Sequence, residues 1–430
     1  MEKVTVTDLL LDNGRVCGAV GFNIVTGEAY LFQAKAVLLA CGDQNYRIAR
    51  MWASGRGDGA AAAFRAGAQW RNAEFGTFFQ PMRRDVMCGI NYSDNNMYNA
   101  KGEYISAKYR PWLNDPAEDK YFACGAYDIN AAFIAGLYQE TVAGNGPIFY
   151  NRSEDGYTSN VSKSIESQEF YNRPKFIKHR ALVAKNWAKG MDQSVGDVIP
   201  MTAQLVGEQS PIQVDQNMAT TLPGLWAAGD ASYGGSATMG AVPAPPGRLR
   251  GSGIAFAVYS ALKAAPSMVH YVQTARESVP DRYQAEKLLG DVFAPMERSA
   301  GISPMEVIDP IRRTMAQVKY SVYHRQDRLE EGLALILEAK KNLPDIKVND
   351  FHYLMVANEA RSMVLSAEMH FRTAMLRKET RGWFIREDYS ERDDEHYLKY
   401  ITVRAKSPEE NDTYIFGELE CPVRDYPIKP

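Results

Sequence analysis

The sequence predicts an α/β fold joined to a helical region (α/β + α), and three observations predict it. The first 32 residues are dominated by β-branched and apolar runs broken at turn signals. Two short runs of small and apolar residues, 36–42 and 225–229, read as core strands that end in loops. Beyond residue 270 glycine thins out and apolar residues recur at helical spacing. A chain of 430 residues has room for two or three domains.

Residues 4–11 predict the first strand, stopped by Asp12-Asn13-Gly14, a hairpin signal. Residues 16–22 predict the second, and Thr26-Gly27 turns the chain into a third at 28–32. Residues 36–42 predict a buried parallel strand, which needs a parallel sheet that few later segments look able to build. Gly57-Asp58-Gly59 opens an alanine-rich helix over 57–70. Residues 75–200 are loop-rich, with helical stretches at 130–142 and 180–187. Short strands are expected at 212–214 and 225–229, a glycine- and proline-rich loop at 234–253, and the start of a helix at 254–265.

Ser303-Pro304-Met305-Glu306 has the form of a capping box with proline at the first helical position, and Asp309-Pro310 offers a competing start. Leu329, Leu333, Ile336 and Leu337 form an apolar stripe that Pro344 ends. Val356, Ala360, Met363, Ala367, His370 and Ala374 step by fours and threes along one face of a long helix. Residues 401–430 look like an extended arm.

Composition narrows the function. Forty-nine Lys+Arg against 52 Asp+Glu leave a net charge of −3 without a charge block, so no nucleic-acid partner is expected. No apolar run reaches the length of a membrane span. Cys17, Cys41, Cys88, Cys124 and Cys421 are scattered without a CxxC, which reads as reduced thiols of a cytoplasmic protein carrying no iron–sulfur cluster of its own. The opening residues show no charged leader before an apolar core, so no signal peptide is expected. The six histidines share no ligand spacing, and no metal site is expected.

The sequence contains no G-x-G-x-x-G, P-loop or HExxH. The segment Leu222-Pro223-Gly224-Leu225-Trp226-Ala227-Ala228-Gly229-Asp230 has a different logic. Small residues let a backbone approach a cofactor, and the carboxylate after the strand accepts hydrogen bonds from sugar hydroxyls. It resembles the second flavin-contacting strand of two-dinucleotide-fold flavoproteins, and residues 36–42 resemble the earlier one. The neighbouring segments resemble one superfamily: the flavoprotein subunits of fumarate reductase, succinate dehydrogenase and, nearest, adenylylsulfate reductase. They are Gly57-Asp58-Gly59 with Ala66-Gly67-Ala68 and Glu74-Phe75, Asn99-Ala100-Lys101-Gly102-Glu103, Gly144-Asn145-Gly146-Pro147-Ile148, and Gly247-Arg248-Leu249-Arg250-Gly251-Ser252-Gly253. The most specific is Arg377-Lys378-Glu379-Thr380-Arg381-Gly382-Trp383-Phe384-Ile385-Arg386-Glu387-Asp388-Tyr389 with Asp393-Asp394.

The resemblance implies an FAD domain at 1–75 and 201–268, an inserted capping domain at 76–200, a helical domain at 269–400 and an arm at 401–430. It implies FAD held by Gly42, Asp58, Gly229, Asp230, Gly251, Ser252, Gly253 and Ile254, with Arg248 and Arg250 facing an anionic small-molecule substrate. It implies a ferredoxin-like iron–sulfur partner. It also implies that the G-x-G-x-x-G half of the FAD domain is missing here, as in a truncated or split protein. Arg377, Glu379, Arg381, Arg386 and Asp388 are expected to form a structural ion network. Two positions depart from the family: no arginine stands at 130–133, and no histidine stands near 207–209.

Overall fold

The computed structural model describes residues 1–48, 55–76, 82–83, 88–89, 97–109, 136–151, 198–202, 207, 209–232, 253–381 and 384–421. The chain divides into two compact units. One comprises Met1–Phe78, Ala123–Tyr127 and Leu205–Pro430, the other Phe79–Phe122 and Asp128–Gln204.

The first unit opens on an antiparallel meander of β1 (Val4–Asp12), β2 (Arg15–Asn23) and β3 (Ala29–Gln33). Asn13 and Gly14 both adopt positive φ, 49° and 76°, as a two-residue hairpin turn demands. At Gly27 φ is 74° and a Cβ would fall 2.1 Å from the ring of Phe351, so only glycine fits. Both faces of β2 are buried because both are covered: Cys17 and Val20 meet Ala285 and Leu288, whereas Val16 and Ala19 join Ala60, Phe64 and Trp70.

β4 (Val37–Leu39) follows, and its burial corrects the expectation: Val37 is half-buried and Leu38 is 38% exposed. α1 (Asp58–Arg65) is shorter than the expected 57–70, because Gly67 turns out of the helix at φ 99°. β5 (Trp70–Arg71) ends this stretch.

The second unit holds β6 (Met82–Arg83), β7 (Cys88–Gly89), β8 (Met97–Tyr98), α2 (Ile105–Tyr109), a helical segment at 136–142, β9 (Ile148–Asn151) and β10 (Val198–Thr202). Its strands lie antiparallel in the order β7-β6-β10-β9-β8. The segments around Asn99 and Asn145 meet on one buried carboxylate: Glu140 accepts hydrogen bonds from Asn99 (2.7 Å), Tyr109 (2.8 Å), Asn145 (2.9 Å) and Lys108. Residues 130–135 and 180–187 lie outside the described residues.

Back in the first unit, Ile212 and Val214 make isolated bridges, to Trp70 and Thr220, rather than the expected strand. β11 (Leu225–Ala227) pairs in parallel with β4, and among the described residues these two strands are a sheet by themselves. That explains the exposure of Leu38, since a parallel strand is buried only when neighbours cover it. The helices α3 (Gly253–Thr274), α4 (Arg282–Glu297) and α5 (Pro304–Ala316) follow. The capping box at Ser303 and Glu306 is formed, so α5 starts at Pro304 and carries Pro310 inside it.

Then come α6 (Val318–Ser321), β12 (Tyr323–His324), α7 (Gln326–Lys341), α8 (Phe351–Leu376), β13 (Ile385–Arg386), α9 (Asp394–Tyr397), β14 (Lys399–Ala405) and β15 (Tyr414–Glu420). Residues 401–420, expected as an arm, instead contribute to a β14–β15 hairpin whose inner strand pairs with β5.

The expected ion network is present and buried. Arg377 donates to Glu74 (2.9 Å) and Glu379 (2.8 Å), and to the carbonyls of Tyr397 and Lys399. Arg381 grips both oxygens of Glu379. Arg386 forks onto Asp388 and donates to the carbonyls of Ala374 and Arg377, closing the C-terminal end of α8.

Candidate functional site

The candidate site lies where the parallel strands end. Ala228 N–H donates to the Leu39 carbonyl at 2.9 Å, tying the end of β11 to the end of β4. Beyond β4 the chain passes through Gly42 at φ 77°, over which a Cβ would meet nothing within 4 Å. Beyond β11 it enters a 3-10 turn, Gly229–Ala231, so Asp230 sits in that turn rather than on the strand. Gly229 has φ 61° and its N–H is taken by Ser260 Oγ at 2.8 Å, so it contributes room rather than a donor. A Cβ on Gly229 would lie 3.4 Å from Ala257, which sets the first turns of α3 beside the same strand end.

α1 approaches from the other side. A Cβ on Gly59 would lie 2.3 Å from Cys41 Sγ and 3.4 Å from Leu39, so the helix starts directly against the end of β4. Gly57, at φ 68°, accepts Gln44 against its Cα, and its N–H donates to the Asp43 carbonyl at 3.0 Å. Gly55-Arg56-Gly57-Asp58-Gly59 is therefore glycine-rich for close approach as well as for turning.

Asp58 is the first residue of α1, and its buried Oδ1 has no hydrogen-bond partner. Burial pushes its carboxyl up to about 6; the Ser362 hydroxyl pulls it down, the Glu359 charge pushes it up, and Arg65 and Arg56 pull it down. Glu359, buried on α8, holds two arginines of the preceding loop, Arg47 and, at 3.3 Å, Arg56. Burial lowers Arg56 from its usual range, against the raising charge of Glu359. Sequence reading found Asp58 but not Arg47, Arg56 or Glu359. One signal was available: Glu359 interrupts the apolar face that runs through Val356, Ala360 and Met363.

The structure thus brings Gly42, Asp58, Gly229, Asp230 and the start of α3 to one end of a two-stranded sheet. Gly253, where a Cβ would meet nothing, and Ile254, 84% exposed, open that helix. Arg248, Arg250, Gly251 and Ser252 lie outside the described residues. The position near 207–209 that lacks a histidine is filled structurally. Buried Gln209 accepts from the Tyr46 hydroxyl (2.8 Å) and donates to the Ala73 carbonyl (2.5 Å).

These residues fit a flavin nucleotide on three counts. Asp58 offers an orphaned buried acceptor of the kind a sugar hydroxyl satisfies. Open space lies over Gly42 at a strand end, where open α/β sheets bind ligands. The positive end of α3 stands alongside, ready for negative charge.

Residues 310–426 match the model of the fumarate reductase flavoprotein C-terminal family. A fumarate reductase (CoM/CoB) polypeptide of Methanothermobacter marburgensis is 24% identical over 95% of this chain and 71% of its own length. The succinate dehydrogenase flavoprotein subunit of Rickettsia bellii is 26% identical over 91% of this chain and 65% of its own length. The chain thus spans about two thirds of the length of these curated relatives. Among solved structures, adenylylsulfate reductase from Archaeoglobus fulgidus superposes with a TM-score of 0.70 at 21% identity, over 97% of this chain and 72% of that one. Quinol fumarate reductase from E. coli gives 0.75 at 20% identity, over 99% and 72%. Over more than nine tenths of its length the chain thus resembles the flavoprotein subunits of fumarate reductase, succinate dehydrogenase and adenylylsulfate reductase, which are FAD-dependent oxidoreductases, and residues 310–426 carry their C-terminal family region.

Proposed function

We propose that this chain is the flavoprotein subunit of an oxidoreductase that uses FAD to move electrons between an anionic small molecule and a separate iron–sulfur protein. The observation that carries the reading is the orphaned Oδ1 of Asp58 at the glycine-lined end of β4 and β11. Bound there, FAD would supply the hydride and electron chemistry that no side chain offers.

The chain's own residues do the holding. Gly42 and Gly229 leave room for the cofactor. Asp58 and Asp230 accept hydrogen bonds from its hydroxyls. Gly253 and Ile254 present the start of α3 to its negative edge, and Gly251 and Ser252, just before them in sequence, are assigned to the same cofactor contact. Arg248, with Arg250 beside it in sequence, gives a permanent positive charge for the substrate anion. Five scattered cysteines give no cluster ligand set, so the one-electron carrier is assigned to a ferredoxin-like iron–sulfur partner.

On this reading residues 1–75 and 201–268 are part of a two-dinucleotide-fold FAD domain, 76–200 the capping domain and 269–400 the helical domain. A second reading has one observation in its favour. Among the described residues the β4–β11 sheet has two strands, and Leu38 is exposed, as expected of a flavoprotein piece that needs a separate α/β segment to hold FAD.

The test is a titration of the purified chain with FAD, followed by flavin fluorescence. Binding is expected, weakened about ten- to a hundred-fold by Asp58→Asn, which removes a charge-assisted hydrogen bond. FAD binding that Asp58→Asn and Asp230→Asn leave unchanged contradicts the assignment.

A further inference from the structure

We propose that Glu359 of α8 is a positioning residue of the cofactor site. By holding the Arg56 guanidinium it keeps Asp58 from closing an internal ion pair, and so leaves that carboxylate open to a hydroxyl of the cofactor. This deepens the function proposed above and rests on it.

The observation that needs a cause is an orphaned acceptor beside an arginine. Asp58 Oδ1 is buried without a partner, a costly arrangement for a carboxylate. Arg56 stands two residues before it, near enough for its charge to pull the Asp58 carboxyl down. Yet the ion pair that Arg56 makes among the described residues is with Glu359, Nε to Oε1 at 3.3 Å. The other oxygen of Glu359 takes Arg47. One buried carboxylate on α8 thus holds two arginines of the segment between β4 and α1.

That segment is held against strain. Tyr46 and Arg47 both lie in the left-handed region, at φ 53° and 54°. The Tyr46 hydroxyl donates to Gln209 at 2.8 Å and its N–H to Gln44 Oε1 at 2.9 Å, while Glu359 fixes Arg47. Gln44 Nε2 donates to the Arg56 carbonyl at 2.6 Å, and Gly57 N–H donates to the Asp43 carbonyl at 3.0 Å. The backbone around Arg56 is therefore pinned, and its side chain has two carboxylates near it.

The other groups facing Asp58 do not seal it. Ser362, three residues after Glu359 on the same face of α8, brings up a hydroxyl. Arg65 of α1 is engaged by Asp8 at 2.7 Å and by the Thr7 carbonyl at 2.8 Å. Cys41, at the end of β4, has its thiol pushed up to about 11, first by burial, and is neutral.

The test compares the unmodified chain, Glu359→Gln and the double variant Glu359→Gln/Arg56→Met, each shown folded by circular dichroism and titrated with FAD. Glu359→Gln releases Arg56 to pair with Asp58, so FAD affinity should fall about ten-fold or more. Removing Arg56 as well should restore it, although no ion pair returns. A carboxylate that served structure alone would not be rescued by deleting its partner. Unchanged affinity in Glu359→Gln, or a double variant as weak as the single one, overturns the proposal. Should Glu359→Gln not fold, the same comparison is made with Arg47→Met throughout, where one arginine alone lacks a carboxylate.

A second readout needs no FAD. It is the difference that Asp58→Asn makes to urea stability between about pH 3 and pH 8. In the unmodified chain the Asp58 contribution is lost as pH rises through about 6. Paired with Arg56, the carboxyl is held below its ordinary value, so in Glu359→Gln the contribution should be lost as pH falls below about 4 instead. The double variant should return it to the original sign. A contribution that keeps its sign in Glu359→Gln overturns the proposal whether or not FAD binds. A failed FAD titration with the reversal present sinks the function proposed above and leaves this inference standing.

Discussion

Asp58 concentrates the electrostatics of the site in one carboxyl. Its upward displacement to about 6, caused first by burial, means that the folded chain binds a proton there more readily than the unfolded chain does. The corresponding stability is fully present below about pH 4 and is lost as pH rises through about 6. Asp58→Asn should therefore flatten this dependence and raise the stability of the ligand-free chain at pH 7.5 by about 1–3 kcal/mol, read from urea midpoints. An unchanged pH profile contradicts it.

Buried His370 and His324, their rings 5.6 Å apart, act with the opposite sign. Burial brings His370 down to about 4; burial, then the charges of His370 and Arg386, holds His324 well below its usual value. Both remain neutral in the fold, so stability present above about pH 6.5 is lost as pH falls towards 4. His370→Gln should lessen that acid loss, and an acid limb as steep as before would contradict it. The glycine turn that places Asp58 at the start of α1 was legible from its sequence neighbours. The Arg47–Glu359 and Arg56–Glu359 pairs were not, because some 300 residues separate the partners and no local pattern links them.

At the scale of elements, the ion network joins the end of α8 to Glu74 and to the start of β14. Arg377 and its two carboxylates are completely buried, so removing the arginine leaves uncompensated charge. Arg377→Met should cost about 3–5 kcal/mol in urea unfolding, and adding Glu74→Leu should recover part of it. Equal stability of the two variants contradicts a direct coupling. Ser303→Ala should cost about 1 kcal/mol through loss of the capping box at α5. A cost near zero would show that the cap does not hold this helix end.

Local chemistry made such elements legible: the hairpin at Asn13-Gly14, the capping box, and the buried stripe of α8 each declare themselves within a few residues. The β14–β15 hairpin did not. Its outer strand is exposed and lacks a clean alternation, and its inner strand pairs with residues some 330 positions earlier. The length of α1 was misjudged because Ala66 and Ala68 flank the glycine that ends it and extend the alanine-rich pattern.

For the whole molecule, the proposed cofactor crevice depends on two parallel strands brought together from residues 37 and 225. Apolar patterning announced an α/β core without saying how many strands it holds, since strand number is set by long-range pairing. The central claim is that FAD lies across the ends of these strands. The most direct measurement is hydrogen exchange of the chain with and without saturating FAD. The account predicts slowed exchange in residues 41–43, 57–60 and 228–231, and none of that slowing in Asp58→Asn. FAD that leaves those amides unchanged, or that protects a different part of the chain instead, would contradict it.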